Sequence, residues 1–367
     1  MKRPIMQHLR SLAGAGLGAG FLAACGGTVF SPAPTSIARI PAMLHSAVAG
    51  SVEAPATNSH LYVANSDGNT VTVYARSVHN TKVVRTISKG IKTPESLVFG
   101  RSGYLYVGNA GNNTVTEYAP GKTSVFQTIS QGIFSPAAFA FDSTGNLYVA
   151  NIFAAHGGTV TVYARGKTKV LRTISEGLNG PIALAFDNSG NLFVANVGGY
   201  GGSGPGNTVT VYAPGSGHVL QTISQGVLTP LALAFDGSGD LYVANNGYGT
   251  GTTVTVYGPG SAPLLRTISQ GVDYPEALAF DNSGNLYVAN SAGSTVTVYA
   301  PGTTSVLRTI SQGVSHPAAL AIGSSGFLYV ANLYPTDTVT EYAPGKTSVV
   351  RTISKGVKQP GALKFGP

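Results

Sequence analysis

The stretch Pro230-Leu-Ala-Leu-Ala-Phe-Asp-Gly-Ser-Gly-Asp-Leu-Tyr-Val-Ala-Asn245 runs through a loop to Thr253-Val-Thr-Val-Tyr257, then through Gly-Pro-Gly to Leu264-Leu-Arg-Thr-Ile-Ser269. It holds four short runs of β-branched, aromatic and small apolar residues, each bounded by a turn signal. The phrase L-Y-V-A-N returns along the chain, ending at Asn65, Asn109, Asn151, Asn196, Asn245, Asn290 and Asn332, with gaps of 44, 42, 45, 49, 45 and 42 residues. Four meandering strands in a repeat of that length are one blade of a β-propeller; a β-helix coil uses about half the residues or fewer.

Residue size assigns the strands. Ala-Leu-Ala-Phe, small at alternate positions, suits a crowded innermost strand A at the central channel. L-Y-V-A-N is strand B and T-V-T-V-Y strand C, apolar on both faces because each blade packs against two neighbours. The run carrying Arg85, Arg172, Arg266, Arg308 and Arg351, or Gln127 and Gln221 in their place, suits outermost strand D, where a polar side chain discourages pairing with other chains.

Counting strands predicts how the ring closes. The first unit supplies only B, C and D, over about 60–64, 70–75 and 83–88, and the last supplies only an A strand over 361–365. Six whole blades start at Pro94, Pro136, Pro181, Pro230, Pro275 and Pro317. The expected architecture is therefore all-β: seven blades of four antiparallel strands, the seventh shared by the two ends of the chain. The competing count is eight, with 42–48 recruited as a further strand.

The chain has 367 residues, 49 of them Gly, with charged residues only a tenth of the whole and no Trp. Nothing inside the repeat is long and apolar enough to span a membrane. Residues 1–24 differ in kind. Lys2, Arg3 and Arg10 form a basic head, and 11–24 is an uncharged run of small and apolar residues, the pattern of an export signal. It ends in Leu22-Ala23-Ala24-Cys25, which holds the only cysteine and resembles the lipobox of bacterial lipoproteins. That resemblance implies cleavage before Cys25, acylation of its thiol, and a membrane partner held through the lipid. Gly26 at the following position, by resemblance to Gram-negative lipoproteins, implies sorting to the outer membrane. Residues 25–58, with Pro32, Pro34, Pro41 and Pro55 among Ala, Ser and Thr, read as a flexible tether spanning roughly 30 Å. Loss of the leader leaves 19 Lys and Arg against 14 Asp and Glu, a net charge of +5. The propeller is expected over 59–367, as a monomer.

The wording P-x-A-L-A-F-D-x-S-G-N-L-Y-V-A-N resembles NHL-repeat propellers and the related gluconolactonase-like and streptogramin-lyase-like propellers of bacteria, over nearly all of 59–367. The resemblance is specific for architecture; folds of this kind host binding, scaffolding and enzymatic functions alike. Gluconolactonase-like enzymes hold a divalent metal over the channel with Glu, Asn and Asp. The residues after the strand-A prolines are Glu95, Ala137, Ile182, Leu231, Glu276, Ala318 and Gly361, so only Glu95 and Glu276 match, on nearly opposite blades. Streptogramin-lyase-like catalysis needs His and Glu near the channel, and only His316, just before Pro317, has a comparable place.

The residues themselves suggest little catalysis. No His-x-x-His or His-x-x-x-His spacing occurs, the one cysteine is assigned to the lipid, and there is no G-x-S-x-G. The strand-B asparagines are expected to bond amides of the turn that follows. Loops at Asp142, Asp187, Asp236 and Asp281 bring one or two carboxylates each, short of a calcium site, and read as A–B hairpin turns. No cofactor or metal is implied.

Difference between units lies in the B–C loops, from Ser66-Asp-Gly-Asn69 to the eleven residues Val197–Asn207. In a four-stranded meander the B–C and D–A loops share one face, which is therefore the variable one. Of 18 tyrosines, thirteen belong to the B and C phrases; Tyr200, Tyr248, Tyr274 and Tyr334 fall on the variable face and Tyr104 does not. With Phe153 and His156 they form the candidate ligand surface, aromatic, glycine-rich and weakly charged, suited to sugar rings or extended peptides. Basic residues such as Lys122, Arg165, Lys167, Lys169 and Lys346 gather in the C–D turns, away from that face, so nucleic acid is not an expected partner. The expected function is a lipid-anchored, non-enzymatic binding or scaffolding module for protein or glycan. The alternative is a metal-dependent, lactonase-like or lyase-like envelope enzyme at the channel mouth.

Overall fold

A computed structural model describes residues 60–75, 82–153, 157–198, 206–247, 252–261 and 263–367. They form seven sheets of four antiparallel strands, each in the order A-B-C-D from one edge to the other. Strand A begins at the expected proline: Pro94–Phe99 in blade 1, Pro136–Phe141 in blade 2, Pro181–Phe186 in blade 3, Pro230–Phe235 in blade 4, Pro275–Phe280 in blade 5 and Pro317–Ile322 in blade 6. Each A strand lies against those of the two blades beside it, and the sequence of contacts returns to its start, closing the ring.

Blade 7 joins the two ends of the described chain. Strand Pro360–Gly366 supplies A, and His60–Asn65, Thr70–Tyr74 and Val83–Ile87 supply B, C and D. Leu61 pairs with Phe365, Val63 with Leu363 and Ala64 with Ala362. The count is seven, and the closing strand extends one residue beyond each end of the expected 361–365.

Burial follows the pattern of a fanned ring. Strands A, B and C are buried on both faces, and the cores lie between blades rather than within them. Ala232, Ala234 and Tyr242 of blade 4, for example, pack with Leu278, Leu286 and Val288 of blade 5. At the rim the blades splay, so strand D alternates, and Leu171, Leu220 and their counterparts stay largely exposed.

Two features of the repeated phrase staple neighbouring blades. The tyrosine ending strand C is buried in all seven blades, and its hydroxyl donates to a D–A loop carbonyl of the blade before: Tyr118 to Lys89, Tyr163 to Gln131, Tyr212 to Glu176, Tyr257 to Gln225, Tyr299 to Gln270, Tyr342 to Gln312 and Tyr74 to Lys355, at 2.5–2.7 Å. In six blades the strand-B aromatic ring meets the last strand-A aromatic of the next blade edge to face, as Tyr242 meets Phe280 with centroids 5.0 Å apart; Tyr287 faces a blade whose strand A ends in Ile322.

The strand-D arginines do more than guard an edge. Arg85, Arg172, Arg266 and Arg308 fold back over strand C and donate to the strand-B hydroxyls of Tyr62, Tyr148, Tyr242 and Tyr287 at 2.7–3.0 Å. Blade 3 has Phe193 in place of that tyrosine, and Gln221 in place of the arginine. Blades 1 and 6 carry a buried glutamate in strand C instead of valine. Glu117 accepts from Tyr106 at 2.8 Å and from Gln127, and Glu341 accepts from Tyr329 at 2.6 Å and from Arg351.

Candidate functional site: the loop face around the channel mouth

The D–A and B–C loops lie together, joined by backbone hydrogen bonds in every blade. The residue before the strand-A proline accepts from the amide that follows the strand-B asparagine: Ala110 to Thr93, Ile152 to Ser135, Val197 to Gly180, Asn246 to Thr229, Ser291 to Tyr274, Leu333 to His316 and Ser66 to Gln359. These seven pre-proline residues all have left-handed backbones, with φ between 43° and 67°. Six of them are not glycine, a conformation that costs roughly 1 kcal/mol or more per residue. Compensating bonds hold them. The amides of Thr93, Ser135 and Thr229 donate to Asn69, Asn113 and Asn207 of the preceding blade's B–C turn at 2.7–2.8 Å, and His316 donates to Ser294 Oγ at 3.2 Å.

The strand-B asparagines are fully buried and fully used. Asn290 Nδ2 donates to the carbonyl of Val288 and to Thr295 and Thr297 Oγ1, while its Oδ1 accepts the amide of Asp273. The other six repeat the amide contact, on Lys92, Phe134, Asn179, Leu228, Ser315 and Lys358. The expectation of a structural role holds, with its partner corrected. The amide belongs to the D–A loop that precedes strand A, because the loop folds over the end of strand B. The Asp loops are hairpin turns: Asp142 Oδ1 accepts the amides of Thr144 and Asn146, and these contacts pull its pKa down against burial.

Of the candidate ligand residues, Phe153 is half-buried in the B–C loop of blade 2, Tyr274 is half-buried at the pre-proline corner of blade 5, and Tyr334 is 59% exposed in the B–C loop of blade 6. Tyr274 and Tyr334 are on neighbouring blades; Phe153 is three blades from either. His156, Tyr200 and Tyr248, like Cys25, lie outside the described residues. Sequence reading passed over Phe134, which is 42% exposed in the D–A loop of blade 2, the blade that also carries Phe153. The signal was its repeat position, filled elsewhere by Lys92, Asn179, Leu228, Asp273, Ser315 and Lys358.

The two mouth glutamates differ. Glu95 is half-buried. Glu276 is only 3% exposed, not a rim side chain, and burial pushes its carboxyl up to about 8, opposed by the Ser291 contact. Ser291 Oγ is 2.9 Å from Glu276 Oε1 and 3.1 Å from the carbonyl oxygen of Tyr274. Glu276 Oε2 has no hydrogen-bond partner. Deeper in the ring, burial alone lowers the pKa of Lys364 in the closing strand.

Among the described residues no three His, Cys, Asp or Glu side chains gather into a metal-binding group. Glu95 and Glu276 stand on the inner strands of blades 1 and 5, which are not neighbours.

The sequence matches no protein-family model and no curated protein. Solved structures share its fold. Hydrazine synthase of Kuenenia stuttgartiensis superposes with a TM-score of 0.62 at 18% identity, covering 78% of this chain and 93% of that one. A functionally unknown protein from Desulfotomaculum acetoxidans DSM 771 gives 0.67 at 15% identity, covering 83% and 98%. The computationally designed Ika8 protein gives 0.61 at 16% identity, covering 89% and 96%. Likeness at these identities establishes the propeller fold and nothing about activity.

Proposed function

We propose that this protein is an exported, lipid-anchored propeller of the NHL-like kind, acting as a binding or scaffolding module whose contact surface is the B–C and D–A loop face. The observation that carries this reading is the division of labour in the repeat. The recurring side chains are consumed in the fold: the strand-C tyrosines bind the preceding D–A loop, the strand-B asparagines brace the loop entering strand A, and the aspartates of four blades close A–B turns. Phe134 and Tyr334 stand exposed on the one face whose loops change from blade to blade. Rigid aromatic faces among adaptable loops supply contact area at little entropic cost. The leader and Cys25 support attachment to the outer membrane.

The test is thermal shift of the full chain, extracted in detergent, against envelope peptides and glycans, beside a Phe134→Ala, Tyr334→Ala double variant. A shift in the parent that disappears in the variant is expected; a shift unchanged in the variant would move the contact elsewhere. A Cys25→Ser variant that still incorporates labelled palmitate would remove the anchor.

A further inference from the structure

The side of the ring opposite the variable loops, formed by the A–B and C–D turns, is divided by charge, and three separate positions of the repeat divide it the same way. The first is the C–D turn. It carries Lys346 in blade 6, Lys82 in blade 7, Lys122 in blade 1 and Arg165, Lys167 and Lys169 in blade 2, all exposed. In blades 3, 4 and 5 the same turn holds no lysine or arginine. The second is the A–B turn. Blades 2 to 5 open it with Asp142, Asp187, Asp236 and Asp281, whereas blades 1 and 6 have Gly100 and Gly323. The backbone is unchanged: Gly100 donates to Tyr104 and accepts from Gly103, as Asp142 donates to Asn146 and accepts from Gly145. The fold therefore does not require the missing carboxylate, and blade 1 adds the exposed Arg101 to this turn.

The third position is the D–A loop residue whose carbonyl accepts the strand-C tyrosine of the next blade. That tyrosine ends strand C, so this residue lies beside the C–D turn. It is the exposed Lys355 against blade 7 and Lys89 against blade 1, Glu176 against blade 3, and Gln against the other four. At these positions blades 6, 7, 1 and 2 present nine cations and one carboxylate, Asp142, a net of +8. Blades 3, 4 and 5 present five carboxylates, counting Asp240, and no lysine or arginine. The basic arc is continuous, with Arg165 Nη2 of blade 2 donating to Ser102 Oγ of blade 1 at 3.0 Å. No ion pair among the described residues engages any of its nine cations. On the other side of the same blades Lys92 and Lys358 stand with the carboxylates of Asp67, Glu95 and Asp337, so the excess is not repeated there.

The described chain enters the ring within this arc. His60 opens strand B of blade 7 opposite Gly366, at the end where the A–B and C–D turns lie, and 59 residues that include Cys25 precede it. Exposed cations gathered on half of one side, with carboxylates on the other half, complement an anionic plane and fix which part of the side meets it. Acidic bilayers attract lysine and arginine in this way, over about a Debye length. We propose that the A–B and C–D side of blades 6, 7, 1 and 2 is a docking surface for an anionic lipid bilayer, holding the variable loops turned away from the membrane. This goes beyond the loop-face reading and adds to the anchor proposed at Cys25, which brings the ring to the bilayer, whereas the arc sets the side that meets it.

The experiment is lysine footprinting of the full chain with N-hydroxysuccinimidyl acetate, read residue by residue by mass spectrometry. The chain is added from detergent to preformed vesicles of phosphatidylcholine, alone or with about 30% phosphatidylglycerol. Acetylation of Lys82, Lys122, Lys167 and Lys169 is expected to slow by about threefold or more on the anionic vesicles relative to the neutral ones. Lys92 and Lys358, whose amides meet strand-B asparagines under the variable loops, should keep their rates. Salt at about 0.5 M should erase the difference. A Lys122→Glu, Lys167→Glu, Lys169→Glu variant, altered only at exposed turn positions, should melt with the parent and lose the protection of Lys82 and Lys346. Equal rates on the two vesicles overturn the arc, a result that needs no variant. Slowing confined to Lys92 and Lys358 overturns it by turning the loop face to the lipid. Slowing by a single-stranded oligonucleotide, with none by vesicles, overturns the bilayer in favour of a nucleic acid. The loop-face reading is judged separately, by the peptide and glycan shifts of the Phe134, Tyr334 double variant.

Discussion

The hydroxyl of Tyr62 donates to the carbonyl oxygen of Pro367 at 2.6 Å, across 305 residues of sequence. The same hydroxyl accepts from Arg85, so strands B and D of blade 7 are tied to the residue that follows strand A. Removing 360–367 deletes the strand that pairs with His60–Asn65 and leaves a long apolar inner edge open. The truncated chain is expected to lose cooperative unfolding and to elute as aggregate in size-exclusion chromatography. Tyr62→Phe should keep the ring and cost roughly 1–2 kcal/mol in urea unfolding.

Glu276 makes the ring's stability depend on pH. Its folded pKa of about 8 lies above the ordinary 4.5 that it regains on unfolding, so the folded state holds a proton that the unfolded state releases between those values. Stability present below about pH 4.5 is lost as pH rises towards 8, and the deficit is constant above that. Glu276→Gln should leave the melting temperature at pH 4 nearly unchanged and raise stability at pH 9 by roughly 2–4 kcal/mol. A pH profile parallel to the parent's would refute the assignment.

Asn290 satisfies a loop amide and two strand-C hydroxyls from a fully buried position. Asn290→Leu strips the D–A corner of blade 5 and strands the Asp273 amide. The expected cost is roughly 2–4 kcal/mol by urea denaturation. Hydrogen exchange should localise the loss of protection to 270–275 and to the B–C turn.

The pairing of Tyr287 with Arg308 at 2.9 Å, set against Phe193 with Gln221 in blade 3, predicts coupling between the two positions. Phe193→Tyr alone introduces a hydroxyl with no arginine to meet it, and Gln221→Arg alone a guanidinium with no phenol. The double substitution should be more stable than the sum of the singles by roughly 0.5–1.5 kcal/mol in a double-mutant cycle.

Much of the architecture is legible in the repeat because a propeller blade is built from local pairings. A four-strand meander, its turns and its inner proline all fall within some 45 residues, so the period, the strand order and the shared closing blade follow from Asn65 through Asn332 and the leftover strand at Pro360. The face carrying the variable loops follows from the same meander. The same count puts Phe153 in blade 2 and Tyr274 at the corner of blade 5, three blades apart.

What the sequence determined by itself is the seven-bladed ring, its closure and the side on which the repeats diverge, because these depend on hydrogen bonds between neighbouring strands that the period encodes. Only the tertiary structure decided what the repeated polar residues do. The strand-C tyrosines reach the preceding blade, the strand-B asparagines hold the loop that leads into strand A of their own blade, and Glu276 is sealed from water with one oxygen unmatched. Those outcomes depend on how strands and loops pack against one another and on what is excluded from the space between them, a relation that the spacing of the repeat does not spell out.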